Sequence, residues 1–194
     1  KGVVTININI GFALTGSFCT FQRAIEQIEK FVASGVNVIP IMSYNSFKTD
    51  TRFGKAEEFI KKIEGITGNK VISTLTAAEP IGPKNMTDLL IILPCSGNTL
   101  AKLALGIYDT PVTLAVKSHL RNQKPVLIGV SSNDSLSASA KNIGALLNYK
   151  HYYFIPMKQD DPVKKPFSIV CDFDKAYESA KLALEGKQIE PIVF

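Results

Sequence analysis

The sequence predicts an α/β fold, with a parallel sheet between two layers of helices. Three observations predict it. Strand-like and helix-like segments alternate from end to end of the 194 residues. The apolar run Leu89-Leu90-Ile91-Ile92-Leu93 ends in Pro94 and breaks at once into small and polar residues, as a buried parallel strand does at its carboxyl end. Four such strands close in glycine or polar, mostly hydroxyl-bearing residues: Thr15-Gly16-Ser17, Ser43, Ser96 to Thr99, and Ser131-Ser132-Asn133.

Taken in order, Val4, Ile6, Ile8 and Ile10 alternate with Thr5, Asn7 and Asn9, and the run continues to Leu14 as the first strand. Phe21, Ala24, Ile25, Ile28, Phe31 and Val32 recur at helical spacing, with Glu26 and Lys30 paired on the solvent side and Gly35 as the stop. Val36 to Met42 is the second strand, closed by Ser43, and Tyr44 to Arg52 reads as a polar loop. Phe53, Ala56, Phe59, Ile60 and Ile63 define a second helix, ended near Gly65 and Gly68. Val71 and Ile72 suggest a short third strand, and Pro80, Gly82 and Pro83 an irregular stretch. Leu89 to Leu93 is the fourth strand, with a helix from the Ser96–Thr99 turn to Ile107. Pro111 opens the next helix with Asp109 or Thr110 as its cap. Val126 to Val130 is the fifth strand, Ser135 to Leu147 a helix, and Tyr152 to Ile155 the sixth strand. Gln159 to Pro166 is charged and proline-containing, an exposed loop or arm; Asp172 caps a last helix that Gly186 ends. The expected architecture is a three-layer Rossmann-like, flavodoxin-type parallel sheet with helices on both faces. It is read as a single domain over residues 1–194, with 157–194 as a C-terminal loop and helix extension.

The hydrophobic content of 45% supports a sizeable core. The net charge of +5 is modest and spread out, with pairs such as Lys61-Lys62 and Lys164-Lys165 rather than tracts, and no aromatic residues interleave with a basic stripe. That argues against nucleic acid and fits a small anionic ligand. Cys19, Cys95 and Cys171 lie far apart without CxxC spacing, which argues against a disulfide framework and a zinc site and fits a reducing cytoplasm. The apolar N-terminal segment is interrupted by Thr5, Asn7 and Asn9, so neither a signal peptide nor a membrane span is expected.

Right-handed crossovers bring the four polar strand ends to one rim, where ligands of open α/β sheets sit. The helix that begins after Ser96 offers unpaired N–H groups and a dipole that favours an anion. The segment lacks the glycines and lysine of a Walker loop or a GxGxxG fingerprint. The alternative is that Ser17 and Ser96 cap helices, as serine often does. Cys19 and Cys95 adjoin helix N-termini, a setting that lowers a thiol pKa, although a small buried cysteine is the commoner outcome.

This constellation resembles the homo-oligomeric flavin-containing Cys decarboxylase superfamily. The family's Pro-Ala-Ser-Ala-Asn-Thr segment is matched by Pro94-Cys95-Ser96-Gly97-Asn98-Thr99, and its Gly-Ile-x-Asp turn by Gly106-Ile107-Tyr108-Asp109. Within it, the chain is similar to the dipicolinate synthase B-subunit family. Gly11 to Thr20, Thr51-Arg52-Phe53-Gly54, Ala78 to Lys84, Leu120 to Val126, Ser131 to Asp134 and Tyr153 to Pro166 carry that likeness. The resemblance implies FMN on the rim, held by Thr15, Gly16, Ser17, Ser43, Ser96, Gly97, Asn98, Thr99 and Ser131. It implies a homo-oligomer whose flavin site a neighbouring copy completes, with Phe18, Tyr44, Phe47 and Phe53 as contact candidates. It also implies an A subunit carrying NAD(P), oxidation of a dihydrodipicolinate-type precursor to pyridine-2,6-dicarboxylate, and the mother-cell cytoplasm of a sporulating Gram-positive bacterium. A small dicarboxylate substrate needs cations: Arg52, Lys84 and Arg121, with Lys117 beside them, lie in or next to loops that could face the rim, each with a solvated surface role as the alternative. Glu79, Tyr44 and His119 are possible bases, with His119 expected on a helix surface, and none is assigned a catalytic role. The superfamily's decarboxylases carry a histidine in the region that is here Glu79 to Asp88, which has none, and the Pro-x-Met-Asn pattern is altered to Val130-Ser131-Ser132-Asn133. The rival readings are an FMN-dependent decarboxylase of another acid and a non-catalytic partner subunit that retains the fold.

Overall fold

The computed structural model describes residues 8–194, so the first strand's reading at Val4 to Asn7 lies outside the described residues. Seven strands form one sheet: β1 (Asn9–Leu14), β2 (Asn37–Met42), β3 (Leu89–Cys95), β4 (Val126–Ser132), β5 (Tyr152–Phe154), β6 (Met157–Asp161) and β7 (Lys165–Cys171). Their order is β2-β1-β3-β4, with β5 parallel beside the first half of β4 and β7-β6 continuing antiparallel from its end. Successive strand residues point to opposite faces. Every residue of β3 is buried, so both faces of the sheet are covered. The helices are α1 (Phe21–Ala33), α2 (Tyr44–Lys48), α3 (Ala56–Thr67), α4 (Leu75–Ala78), α5 (Gly97–Ala104), α6 (Pro111–Leu120), α7 (Ala140–Leu147) and α8 (Ala176–Leu184). The α1 stripe Phe21, Ala24, Ile25, Ile28 and Phe31 is fully inside, and each large side chain there contributes about 1.5–3 kcal/mol of burial free energy.

The fold class is the expected one, and several local elements differ for physical reasons. Tyr44 to Arg52 opens with a helix, α2, because the Ser43 hydroxyl accepts the Ser46 N–H at 3.3 Å. The next helix starts at Ala56, since Thr51 and Gly54 close a tight turn by two backbone hydrogen bonds of 3.0 and 3.1 Å, leaving Phe53 on that turn. It runs past Gly65 to Gly68, which supplies the left-handed stop at φ 68°. Val71 and Ile72 make one bridge, Ile41 to Ile72, rather than a strand. The stretch around Pro80 is α4 followed by a 3-10 turn at Glu79–Ile81. The α7 helix starts five residues late, because Asp134 folds the preceding serines into turns through its carbonyl and carboxylate.

The largest difference is Gln159 to Pro166. It is the tip of an antiparallel hairpin rather than a loop: Met157, Lys158 and Gln159 pair with Cys171, Val170 and Ile169. The Asp161 carboxylate accepts the Val163 and Lys164 N–H groups at 3.1 and 3.0 Å and forms the turn. The sheet is therefore mixed, parallel through β2-β1-β3-β4-β5 and antiparallel beyond.

Candidate functional site

The carboxyl ends of β1, β2, β3 and β4 lie along one edge, and side chains lace them together. Thr15, fully buried, donates its hydroxyl to the Pro94 carbonyl at 2.8 Å and accepts the Ser96 N–H at 2.9 Å, tying β1 to β3. Ser17 donates its hydroxyl to the Ser131 carbonyl, tying the β1 turn to β4. The Ser131 hydroxyl lies 3.4 Å from that of Thr20. Thr15, Ser17 and Ser131 thus position the rim. Ser43 has its hydroxyl committed to the α2 cap.

The rim encloses a cleft of about 540 Å³, within the roughly 300–1,000 Å³ range of small-molecule sites. Of the residues expected from sequence, Gly16, Ser43, Ser96, Asn98 and Thr99 line it. Gly97 opens α5 just behind. A Cβ there would meet the Asp134 Oδ1 at 2.4 Å and the Ser132 hydroxyl at 2.7 Å, so any larger residue must push apart the hydrogen-bonded Ser132, Asp134 and Ser139 side chains. Ser96 is extended at φ −77°, ψ 158° and makes no side-chain capping bond. The first-turn N–H groups of α5, from Gly97, Asn98 and Thr99, have no intrahelical acceptor by the geometry of any helix start. They meet the cleft with the positive end of the helix dipole.

The cleft is also lined by residues outside the expected ligand set: Asn45, Lys102, Asp109 and Thr110, with Tyr44, expected only as a base or contact. Lys102 stands three and four residues after Thr99 and Asn98, hence on their face of α5. Its ammonium donates to the Asp109 carboxylate at 2.6 Å and holds that acid below its ordinary carboxylate range. The signal available in sequence is the spacing of Lys102 from the Gly106-Ile107-Tyr108-Asp109 turn.

The cations expected for substrate are not gathered. Arg52 is exposed on the turn before α3, over the Phe53 ring at 4.9 Å, and does not line the cleft. Lys84 and Arg121 are exposed on the segments that lead into β3 and β4. A segment entering a parallel strand lies at its amino end, so both residues stand on the edge opposite the cleft. Lys117 sits over the Tyr108 ring at 5.3 Å.

His119 is not on a helix surface. It is 1% exposed, with Nε2 donating to the Pro125 carbonyl at 2.9 Å and Nδ1 accepting from the Thr87 hydroxyl at 2.8 Å. A carbonyl can only accept, which puts the proton of the neutral ring on Nε2 and leaves Nδ1 to accept. Burial is the main force pushing its pKa down to about 4. Glu79 is exposed on its 3-10 turn, where its carbonyl accepts the Ser118 hydroxyl at 2.6 Å. Cys95 is buried, the commoner outcome for a small cysteine, and burial pushes its thiol up instead of the helix start lowering it. Cys19 is exposed. Phe18, Tyr44 and Phe47 are half-buried and Phe53 is exposed. Among the described residues, no three His, Cys, Asp or Glu side chains gather as metal ligands, and no helix is long and apolar enough to cross a membrane.

The Flavoprotein family signature matches residues 5–182. The chain is 43% identical over 184 residues to the dipicolinate synthase B subunit of Bacillus subtilis, covering 95% of this chain and 92% of that one. The chain belongs to the flavoprotein family, in the branch of the dipicolinate synthase B subunits. The crystal structure of the corresponding Bacillus halodurans protein superposes with a TM-score of 0.89 at 40% identity, covering 96% of each chain. More distant flavoprotein folds include the FMN-dependent cysteine decarboxylase SpaF, with a TM-score of 0.68 at 21% identity, covering 92% of this chain and 97% of that one. Burkholderia xenovorans DmrB in complex with FMN follows, with a TM-score of 0.69 at 15% identity, covering 93% and 97%. Family relatives thus bind FMN, and these two likenesses carry the shared fold alone.

Proposed function

We propose that the chain is the B subunit of dipicolinate synthase and that, with an A subunit, it oxidises dihydrodipicolinate to dipicolinate during sporulation. The 43% identity over nearly the whole of the Bacillus subtilis protein carries this reading. The reaction removes one hydride and one proton from the ring. FMN, when bound, supplies a two-electron acceptor; NAD(P) belongs on the A subunit.

The residues present fit a flavin phosphate. The N–H groups of Gly97, Asn98 and Thr99, the Gly16 backbone and the hydroxyls of Ser96 and Thr99 form a donor set, and the Asp134 carboxylate, which stands against Gly97, is engaged by the Ser132 and Ser139 hydroxyls. Asp109, the acid lining the cleft, is engaged by Lys102. Charge-assisted bonds from such donors are stronger than neutral ones. Thr15, Ser17 and Ser131 hold the donors in register, and Ser43 orders Tyr44 and Asn45 at the mouth. Lys102 is the cation in the cleft lining, and it would meet a substrate carboxylate by exchanging its Asp109 partner for it. Lys84 and Arg121 do not reach the cleft of their own chain. Tyr44, which lines the cleft, and the exposed Phe53 suit contact with a neighbouring copy in a homo-oligomer, and the reaction belongs in the cytoplasm.

The decarboxylase reading draws no support from the site. Glu79 to Asp88 holds no histidine and His119 is sealed in the core. The test mixes both subunits with the dihydro precursor and follows dipicolinate absorbance with and without FMN. Turnover that needs both chains and rises with FMN is expected. Full turnover by the A subunit alone would overturn the catalytic reading. A colourless chain that takes up no FMN yet is required for turnover would make it a non-flavin partner.

A further inference from the structure

The edge of the sheet opposite the cleft carries a row of charge that the proposed reaction does not use. The segments entering β3, β4 and β5 lie side by side, because β3 pairs with β4 and β4 with β5. Each bears one exposed cation: Lys84, Arg121 and Lys150. None of the three is in an ion pair among the described residues. The acid on these segments, Asp88, is already held by Lys124 at 2.9 Å and by the Asn9 N–H at 3.0 Å. Strand spacing puts the outer two cation-bearing segments roughly 10 Å apart.

The row is set on fixed backbone. Asn122 Nδ2 donates to the Gly82 carbonyl at 2.8 Å and lies 3.4 Å from Asn85 Oδ1, and the Gly82 N–H donates to the Ser118 hydroxyl at 2.8 Å. Lys84 and Arg121 are the immediate neighbours of the touching pair Asn85 and Asn122. Each cation also stands within two residues of a non-glycine residue in the left-handed region: Asn85 at φ 50°, Gln123 at φ 56° and His151 at φ 69°. Among the described residues these are the three of that kind. Such conformations persist where surrounding structure holds them, and a preorganised surface loses less entropy on binding.

A row of uncompensated cations across three rigid loops, outside any cleft they line, fits a flat acidic protein face rather than a small anion. We propose that this edge docks the A subunit through an acidic surface, leaving the cleft on the opposite edge open to substrate. The proposal rests on reading the chain as one of two subunits.

The test titrates the purified A subunit against the wild-type chain, a triple variant Lys84→Glu, Arg121→Glu, Lys150→Glu, and a control with the same charge change at Lys55, Lys141 and Lys164, at low and at physiological salt. The edge variant is expected to bind at least about tenfold more weakly and to lose most of the salt dependence. The control should bind as wild type, and FMN uptake and melting temperature should be unchanged in both variants. Wild-type affinity in the edge variant, or equal weakening in the control, overturns the docking surface and leaves the two-subunit reading standing. No binding by the wild-type chain at either salt overturns the two-subunit reading itself and the docking surface with it.

Discussion

The amino ends of α5 and α6 both look into the cleft, and they are finished in opposite ways. At α6 the Thr110 hydroxyl accepts the Thr113 N–H and the Thr113 hydroxyl accepts the Thr110 N–H, each at 3.1 Å, so the turn is closed on itself. At α5 the equivalent residue, Ser96, makes no such bond, and its hydroxyl faces that of Thr99 at 3.3 Å. Both are hydroxyl caps in sequence. A satisfied cap stabilises its own helix by about 1 kcal/mol; an open one leaves donors for an anion. The contrast separates a hydroxyl that builds the fold from one available to a ligand, which residue type alone does not.

The strongest test of the closed helix is at its other end. His119 sits in the last turn of α6, neutral between Thr87 and Pro125, with its folded pKa near 4 against an ordinary value of 6.5. Burial lowers it most; Lys124 adds to the lowering, while the Pro125 bond and Asp88 oppose it. A depressed histidine favours the fold fully above the unfolded value. That contribution is lost as pH falls from about 6.5 to about 4, because the unfolded chain binds the proton first, and no more is lost below. Denaturant titrations at pH 7.5 and pH 4.5 should show about 2.5 kcal/mol of stability disappearing through this group. A His119→Gln variant should lack that share of the acid slope. An unchanged slope in the variant would mean the ring is not sealed as described.

Next in size is Gly97→Ala, aimed at the open turn. Its Cβ cannot coexist with Asp134 Oδ1 at 2.4 Å, so the Asp134, Ser132 and Ser139 side chains must turn away and give up the hydrogen bonds among them, or α5 must shift. A loss of about 1–3 kcal/mol is expected, together with loss of flavin uptake read by fluorescence quenching. Gly65→Ala is the counterpart: it lies in α3 with open space around the new methyl, and should raise stability by about 0.5–1 kcal/mol. Thr110→Val should then cost about 1 kcal/mol in thermal melts with flavin affinity unchanged. A fall in flavin affinity there would break the distinction between the two helix starts.

What was legible in the sequence follows the same division. Continuous apolar runs marked β3 and β4, and the 3.6-residue stripe marked α1, because burial on one face or two leaves a periodicity that survives without neighbours. The hairpin tip at Gln159–Pro166 was illegible because its faces are mostly exposed and its pairing is set by the partner strand, not by its own pattern. At the site, the rim was legible and the roles on it were not. Thr15, Ser17 and Ser131 look like phosphate ligands in sequence, yet their hydroxyls reach across to β3, β4 and the turn after β1. Those contacts span sequence separations of 79, 114 and 111 residues. Lys84 and Arg121 were misplaced because a cation near a rim-like segment gives no sign of which edge of the sheet that segment enters.

The smallest expected effect on stability is the sharpest for the comparison. Ser96→Ala removes a hydroxyl that caps nothing, so melting should move by no more than about 0.5 kcal/mol, the range of an ordinary surface change. The Ser96 N–H remains on Thr15, so the α5 turn keeps its position. If the open turn takes a phosphate, losing one charge-assisted donor should weaken flavin binding by about tenfold or more. The reverse pattern, a loss near 1 kcal/mol with no change in flavin affinity, would make Ser96 an ordinary cap in solution. The open and closed helix starts would then be one and the same device.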